Sequence, residues 1–171
     1  NMSIGPESGV EEAFASMTLK QGPAFGLSMH PTRPLLAAGL ISGQLKLYEY
    51  TTPPPADEDV GDGDDSADGS SGPAAASEGS IVQTWSARPH KGACRAVRFA
   101  EDGETIFSTG VDGTLQQRSV ETNQPTWRRR NAAEGPVNSL TLLSGIGIAT
   151  GDDDGRVRCW DLRQHKVALS F

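Results

Sequence analysis

The chain of 171 residues contains two cysteines, Cys94 and Cys159, in separate strand-like runs with no second thiol close to either. It has no C-x-x-C pair and no Cys/His ligand spacing, which argues against a zinc site, and two thiols make a poor disulfide framework. Packed free thiols in a reducing compartment are the expectation. Long apolar runs are also missing. The longest, Leu35 to Ile41, is far shorter than the roughly 20 residues a membrane helix needs. The first stretch, NMSIGPESGVEE, has neither a basic n-region nor an apolar h-region, so no secretory signal is read there. These absences lead to the expectation of an intracellular soluble protein of about one domain, with no membrane partner.

What is present is a strand grammar. IATGDDDGRVRCWDL, from Ile148 to Leu162, holds a short apolar run, a Thr-Gly step and three carboxylates before Gly155. Arg156-Val157-Arg158-Cys159 then alternates polar and apolar, the period of a strand. Asp154-Gly155 readily supplies the positive φ of a tight hairpin. The segment is therefore strand, turn, strand, closing on Trp160-Asp161, and it resembles the inner part of one blade of a WD-repeat β-propeller.

The same order occurs three times. FGLSMHPTRP, LLAAGL, Ser42-Gly43 and QLKLYEY make the first unit. ACRAVRF, TIFSTG, Asp112-Gly113 and TLQQRS make the second, and VNSLTLL, IGIATG, Asp154-Gly155 and RVRCWD the third. The apolar residues Met29, Phe99 and Leu142 precede Gly43, Gly113 and Gly155 by 14, 14 and 13 residues, and each glycine is followed five residues later by Tyr48, Arg118 or Trp160. Three units in register are far harder to obtain by chance than one Trp-Asp pair. Outer strands are expected at IVQTWS, at PTWRRR and, beginning only, at VALSF.

The expected organisation is all-β, with about three four-stranded blades. Residues 1–22 form a leader with a possible closing strand at Phe14 to Leu19. Blade 1 takes residues 23–50 and 80–86, blade 2 takes 87–131, and blade 3 takes 132–171 with its outer strand truncated. Three blades do not close a ring, since propellers have about four to eight. The chain is accordingly expected to be the N-terminal part of a longer protein.

Residues 51–79 interrupt the first unit. TTPPPADEDVGDGDDSADGSSGPAAASEG has no aromatic and no basic residue but eight carboxylates, and without those eight the formal charge moves from −7 to +1. Such a composition cannot bury enough apolar surface to offset ordering entropy, so a disordered acidic loop is expected. Asp64, Ser66 and Asp68-Gly69 match the start of an EF-hand loop, but Ala75 stands where the bidentate Glu belongs, so calcium is not expected. No metal, cofactor or small-molecule substrate is expected elsewhere.

WD repeats often carry a buried polar chain from Trp N–H to Ser or Thr, to His, to Asp, which ties the turn to its strands. The second unit offers His90, Ser108 and Asp112, with Arg118 in place of Trp. The third offers Thr150, Asp154 and Trp160, with Glu134 in place of His. The first has Ala38, Ser42 and Tyr48 at these positions. These residues are expected to be structural. His90, Ser108 and Asp112 lack the nucleophile elbow and oxyanion donors of a hydrolase.

Candidate partner-binding residues are Arg128, Arg129 and Arg130, together with Asp152, Asp153, Asp161 and Arg163. Consecutive strand residues alternate faces, so at most two of the three arginines share a surface. Arg118, Arg156 and Arg158 extend the basic concentration. A phosphate-backbone contact and an ordinary solvated strand are both open for it. There is no aromatic platform for RNA bases.

HKGACRAVRFAEDGETIFSTGVDGTL and EGPVNSLTLLSGIGIATGDDDGRVRCWDLRQ, with the opening FGLSMHPTRPLLAAGLISGQLKLYEY, are similar to the WD repeat protein fifty-five family from about Pro23 to Phe171, the insertion excepted. The resemblance implies a seven-bladed nucleolar propeller acting in ribosomal RNA production and large-subunit assembly. Its implied partners are pre-ribosomal assembly factors, with any RNA contact indirect or to the backbone. The later blades and the basic C-terminal tail typical of the family are not in this sequence. A rival expectation comes from Trp160-Asp161-Leu162-Arg163, which matches the W-D-x-R box of propellers that present substrates to a cullin-RING ubiquitin ligase.

Overall fold

A computed structural model of the protein describes residues 17–19, 22–52, 79–143 and 147–171. The expected leader at 1–12, the beginning of the expected closing strand at 14–16 and the acidic segment 53–78 lie outside the described residues. Met17–Leu19 lies within them and runs without strand pairing, Leu19 resting against the first blade.

Twelve strands make up the described residues. They are β1 (Ala24–Met29), β2 (Leu35–Leu40), β3 (Leu45–Thr51), β4 (Ser80–Ala87), β5 (Cys94–Phe99), β6 (Thr105–Gly110), β7 (Leu115–Ser119), β8 (Pro125–Arg129), β9 (Val137–Leu143), β10 (Gly147–Asp152), β11 (Val157–Asp161) and β12 (Lys166–Ser170). Each consecutive set of four forms an antiparallel sheet in simple up-and-down order. The fold is all-β, three blades of an incomplete propeller. β4 follows β3 across the acidic segment, with Thr51 opposite Ser80. β12 runs five residues, and Phe171 continues its pairing by exchanging both backbone hydrogen bonds with Val157.

Burial explains why each strand has its composition. The second strands of the first two blades, LLAAGL and TIFSTG, are covered on both faces and so carry apolar and small residues nearly throughout. The outer strands β4, β8 and β12 are largely exposed and tolerate Gln, Ser, Arg and Lys. Gly43, Gly113 and Gly155 have φ of 83°, 65° and 76° at the hairpins after β2, β6 and β10, a conformation L side chains rarely adopt.

The core lies between blades. Leu35, Ala37, Leu45 and Leu47 of the first blade pack on Cys94, Val97, Phe99 and Ile106 of the second. Phe107 and Leu115, on the opposite face of the second blade, pack with Leu140, Ile148 and Trp160 of the third. Both thiols are free. Cys94 is fully buried, its Sγ only 2.6 Å from where a Cβ on Gly39 would sit, and burial raises its pKa to about 12.

Candidate functional site

The sequence brings His90, Ser108 and Asp112 into one chain between the first two blades. His90 precedes β5 and its ring lies over Gly110, where a Cβ would meet the ring Cγ at 2.7 Å. Nδ1 is 3.2 Å from Asp112 Oδ1 and Nε2 is 3.0 Å from Ser108 Oγ. Burial lowers the His90 pKa more than Asp112 raises it, so the imidazole is neutral near pH 7. A neutral ring next to a carboxylate donates from Nδ1, which leaves Nε2 to accept the Ser108 hydroxyl. Burial pulls Asp112 upward, but the Lys91 N–H, His90 and the Thr114 N–H outweigh it and hold the carboxyl below its ordinary value. Ser108 is 1% exposed. A substrate has no route to that hydroxyl, and the geometry joins the hairpin turn to the strand and to the loop from the first blade.

The third blade is built differently. Trp160 is buried and its indole N–H donates to Thr150 Oγ1 at 2.9 Å. Asp154, at the turn position of Asp112, is exposed and makes no side-chain hydrogen bond among the described residues. Glu134 is also turned out, 84% exposed, with a 3.7 Å contact to Arg156. Asp152 does the work instead. Its side chain is 1% exposed, pairs with the Arg158 guanidinium and accepts the N–H groups of Asp154 and Arg156 at 3.1 and 2.9 Å. Burial would raise this carboxyl, yet those bonds and Arg158 lower it. Asp152 is therefore turned onto Arg158 and the hairpin backbone rather than to solvent.

The other candidates are distributed over several surfaces. Arg128 reaches back to the Pro89 carbonyl at 2.8 Å, toward the first blade, while Arg129 lines a cleft of about 490 Å³ between blades 2 and 3 with Arg158, Glu134 and Trp160. Arg130 is exposed beyond the end of β8. Arg118 donates to the carbonyl and side chain of Asn123. Asp153 is exposed and accepts from Asn138. Asp161 is held below its ordinary pKa by the Arg163 side chain and by the Arg163 N–H at 2.8 Å, while the Arg163 side chain stays 66% exposed.

Several residues escape a reading by motif. His30 is buried at the end of β1, accepts the N–H groups of Thr32 and Arg33 on Nδ1, and donates from Nε2 to the Gly103 carbonyl at 3.1 Å. Trp127 stacks on His165 at 5.0 Å and meets Trp160 edge-on at 6.3 Å. Arg95 and Arg98 on β5 line a cleft with Phe25 and Asn138. Alternation along a strand does not announce any of these, because each depends on which blade lies opposite.

Repeated four-stranded blades, the first two with hairpin turns wedged against the blade that follows, define the fold of a β-propeller. The pattern of the WD40 family (WD domain, G-beta repeat) matches residues 79–117 and 127–161. Over most of its length the chain is similar to WD repeat-containing protein 55: 36% identical over 148 residues to the Arabidopsis thaliana protein, covering 86% of this chain and 35% of that one. The Rattus norvegicus protein of the same name is 33% identical over 144 residues, with 84% and 31% covered. The chain thus spans about a third of the length of these relatives. A solved chain in the "Crystal Structure of Mitotic Checkpoint Complex" superposes with a TM-score of 0.65 over 92% of this chain and 42% of that one, and at 15% identity it bears on the fold alone.

Proposed function

We propose that the protein is a non-enzymatic scaffold for protein–protein interaction in ribosome biogenesis. It works in ribosomal RNA processing or large-subunit assembly in the nucleolus, beside pre-ribosomal assembly factors. The observation that carries this is the similarity to WD repeat-containing protein 55 across most of the chain. Buried placement of the Ser108 hydroxyl supports a scaffold over a hydrolase, because its polar chain is spent on holding blades together. Arg129 and Arg130 remain exposed for a backbone-only RNA contact, which makes any RNA binding steeply salt-dependent. Affinity purification of the full-length protein from nuclear extract tests the reading. Precursor ribosomal RNA and large-subunit factors should come down together; their absence from a clean purification overturns it.

A second reading is favoured by one observation, the exposed Arg163 side chain next to Trp160-Asp161. It makes the protein a substrate receptor for a cullin-RING ubiquitin ligase. Recovery of a cullin adaptor that is lost in Arg163→Ala supports it. Recovery of ribosomal precursors that persist in Arg163→Ala supports the first.

A further inference from the structure

The inner strands β1, β5 and β9 pack side by side along the axial wall of the three blades. Gly26 brings them close, since a Cβ there would lie 3.0 Å from the Val97 nitrogen. Each strand carries an irregularity of register near its start: between Ala24 and Gly26, between Cys94 and Ala96, and opposite Gly151–Asp152 between Val137 and Ser139. The residues left over are Phe25, Arg95 and Asn138, one per blade. A bulge re-aims its side chain, and these three border a single cleft of about 300 Å³.

The cleft is basic. Arg95 lies over the Phe25 ring at 4.7 Å, its Nε is buried without a partner, and it makes no hydrogen bond or ion pair among the described residues. Arg98 donates through Nη1 to the Leu27 and Val97 carbonyls at 3.1 and 2.8 Å, which fixes it at the wall and leaves Nε and Nη2 for a ligand. Among the described residues no carboxylate lines this cleft, and Asp153 is engaged with Asn138 at its border. Two guanidinium forks with no ion-pair partner among the described residues match carboxylate or phosphate oxygens in two bonds at once. Arg95 covers the aromatic face a nucleic-acid base would need, so the wall suits side-chain carboxylates of an extended polypeptide better than RNA.

We propose that this axial cleft docks an acidic segment of a protein partner, with Arg95 and Arg98 as the anchoring residues. The proposal rests on the scaffold reading but names a different measurement. Fluorescence anisotropy on the full-length protein would compare a labelled glutamate dodecamer, its glutamine counterpart and an oligouridine of equal length. The glutamate peptide is expected to bind, and Arg95→Gln/Arg98→Gln to weaken it at least about tenfold, whereas Lys166→Gln leaves it unchanged. Arg95→Gln alone keeps the test valid should the double variant unfold, because Arg95 makes no hydrogen bond or ion pair among the described residues and contacts only the half-exposed Phe25 ring. Equal binding of the glutamine peptide, preference for oligouridine, or indifference to both substitutions overturns the proposal. A rise in peptide affinity on removing residues 54–78 also overturns it, by making the chain's own acidic segment the occupant. Loss of the peptide result while ribosomal precursors are still recovered removes this inference and leaves the scaffold reading intact.

Discussion

In the second blade the buried polar position is filled from outside the sheet, by His90 arriving on the loop before β5. In the third it is filled from within, by Asp152 on β10 and Arg158 on β11. The two sites occupy the same register. Gly113 and Gly155 return their N–H groups to the carbonyls of Gly110 and Asp152 at 3.2 Å in each case, and Arg158 stands opposite Thr150 as Gln116 stands opposite Ser108. Gly110 is bare so that an imidazole can lie on it. Asp152 has a side chain there, so no histidine is needed, and Glu134 at the histidine's sequence position is free to face solvent. Tying a turn to its strands requires a satisfied polar group, and its identity is interchangeable.

The largest effect that tests this contrast concerns the anchors at the equivalent positions 118 and 160. Trp160 is buried among Phe107, Leu140 and Ile148 and donates to Thr150, so Trp160→Ala should cost about 3–5 kcal/mol in chemical denaturation. Arg118 is half-buried and tied to Asn123, and Arg118→Ala should cost about 1 kcal/mol. Equal costs would mean that the blades are anchored alike and that the contrast is one of residue names only.

Next in size is the acidic pair. Asp152→Asn leaves the part-buried Arg158 guanidinium without its counter-charge, and a loss of about 2–3 kcal/mol is expected. Asp154→Asn, two residues on and exposed, should change stability by less than about 0.5 kcal/mol. Asp152→Asn/Arg158→Gln should recover part of the loss. A penalty at Asp154 matching that at Asp152 would return the structural role to the turn residue.

His90 and Glu134 sharpen the comparison from the other side. His90→Ala opens a cavity, unpairs Ser108 and removes one of the partners of Asp112, for about 2–3 kcal/mol, while Glu134→Ala should be within about 0.5 kcal/mol of the parent protein. Thermal midpoints of the two variants under one buffer would decide it, with comparable shifts counting against the division of roles.

The repeat grammar was legible because it rests on local physics: period-2 alternation, turn glycines at positive φ and Asp-Gly hairpins, all readable from neighbours in sequence. The second blade's polar chain was legible for the same reason, since His90, Ser108 and Asp112 follow a familiar spacing. Substitution at a familiar position hides the third blade's solution. Asp154 looks like the partner of Asp112 by its place before the turn glycine, yet whether a carboxylate points inward depends on the room left by the residue across the sheet. Arg95 and Arg98 were invisible for a different reason. Alternation assigns strand faces, whereas the bulges that bring Phe25, Arg95 and Asn138 to one cleft appear only when two strands are laid in register.

The smallest expected effect is in pH dependence, and it separates the two blades by where on the scale they act. Burial first, and the nearby Arg128 and Arg118 further, keep native His90 below the unfolded histidine value of 6.5 against the pull of Asp112. Unfolded chains therefore take up a proton in mildly acid solution that the native second blade refuses. Stability contributed by the neutral ring is complete above pH 6.5 and declines as pH falls from there to the native value. The third blade has no titrating group in that window at this position. Its Asp152 is held below 3.8 by hydrogen bonds and Arg158 despite burial, so its contribution is present above pH 3.8 and is lost as pH falls through the lower native value. His90→Gln should flatten the decline below pH 6.5, leaving the share of His30, which burial and Arg33 also lower. Asp152→Asn should leave that decline unchanged and remove part of the steeper loss in stronger acid. A decline below pH 6.5 that survives His90→Gln undiminished would mean that the imidazole is already charged in the native blade, and the Nδ1-donor arrangement to Asp112 and Ser108 would have to be redrawn with both ring nitrogens donating.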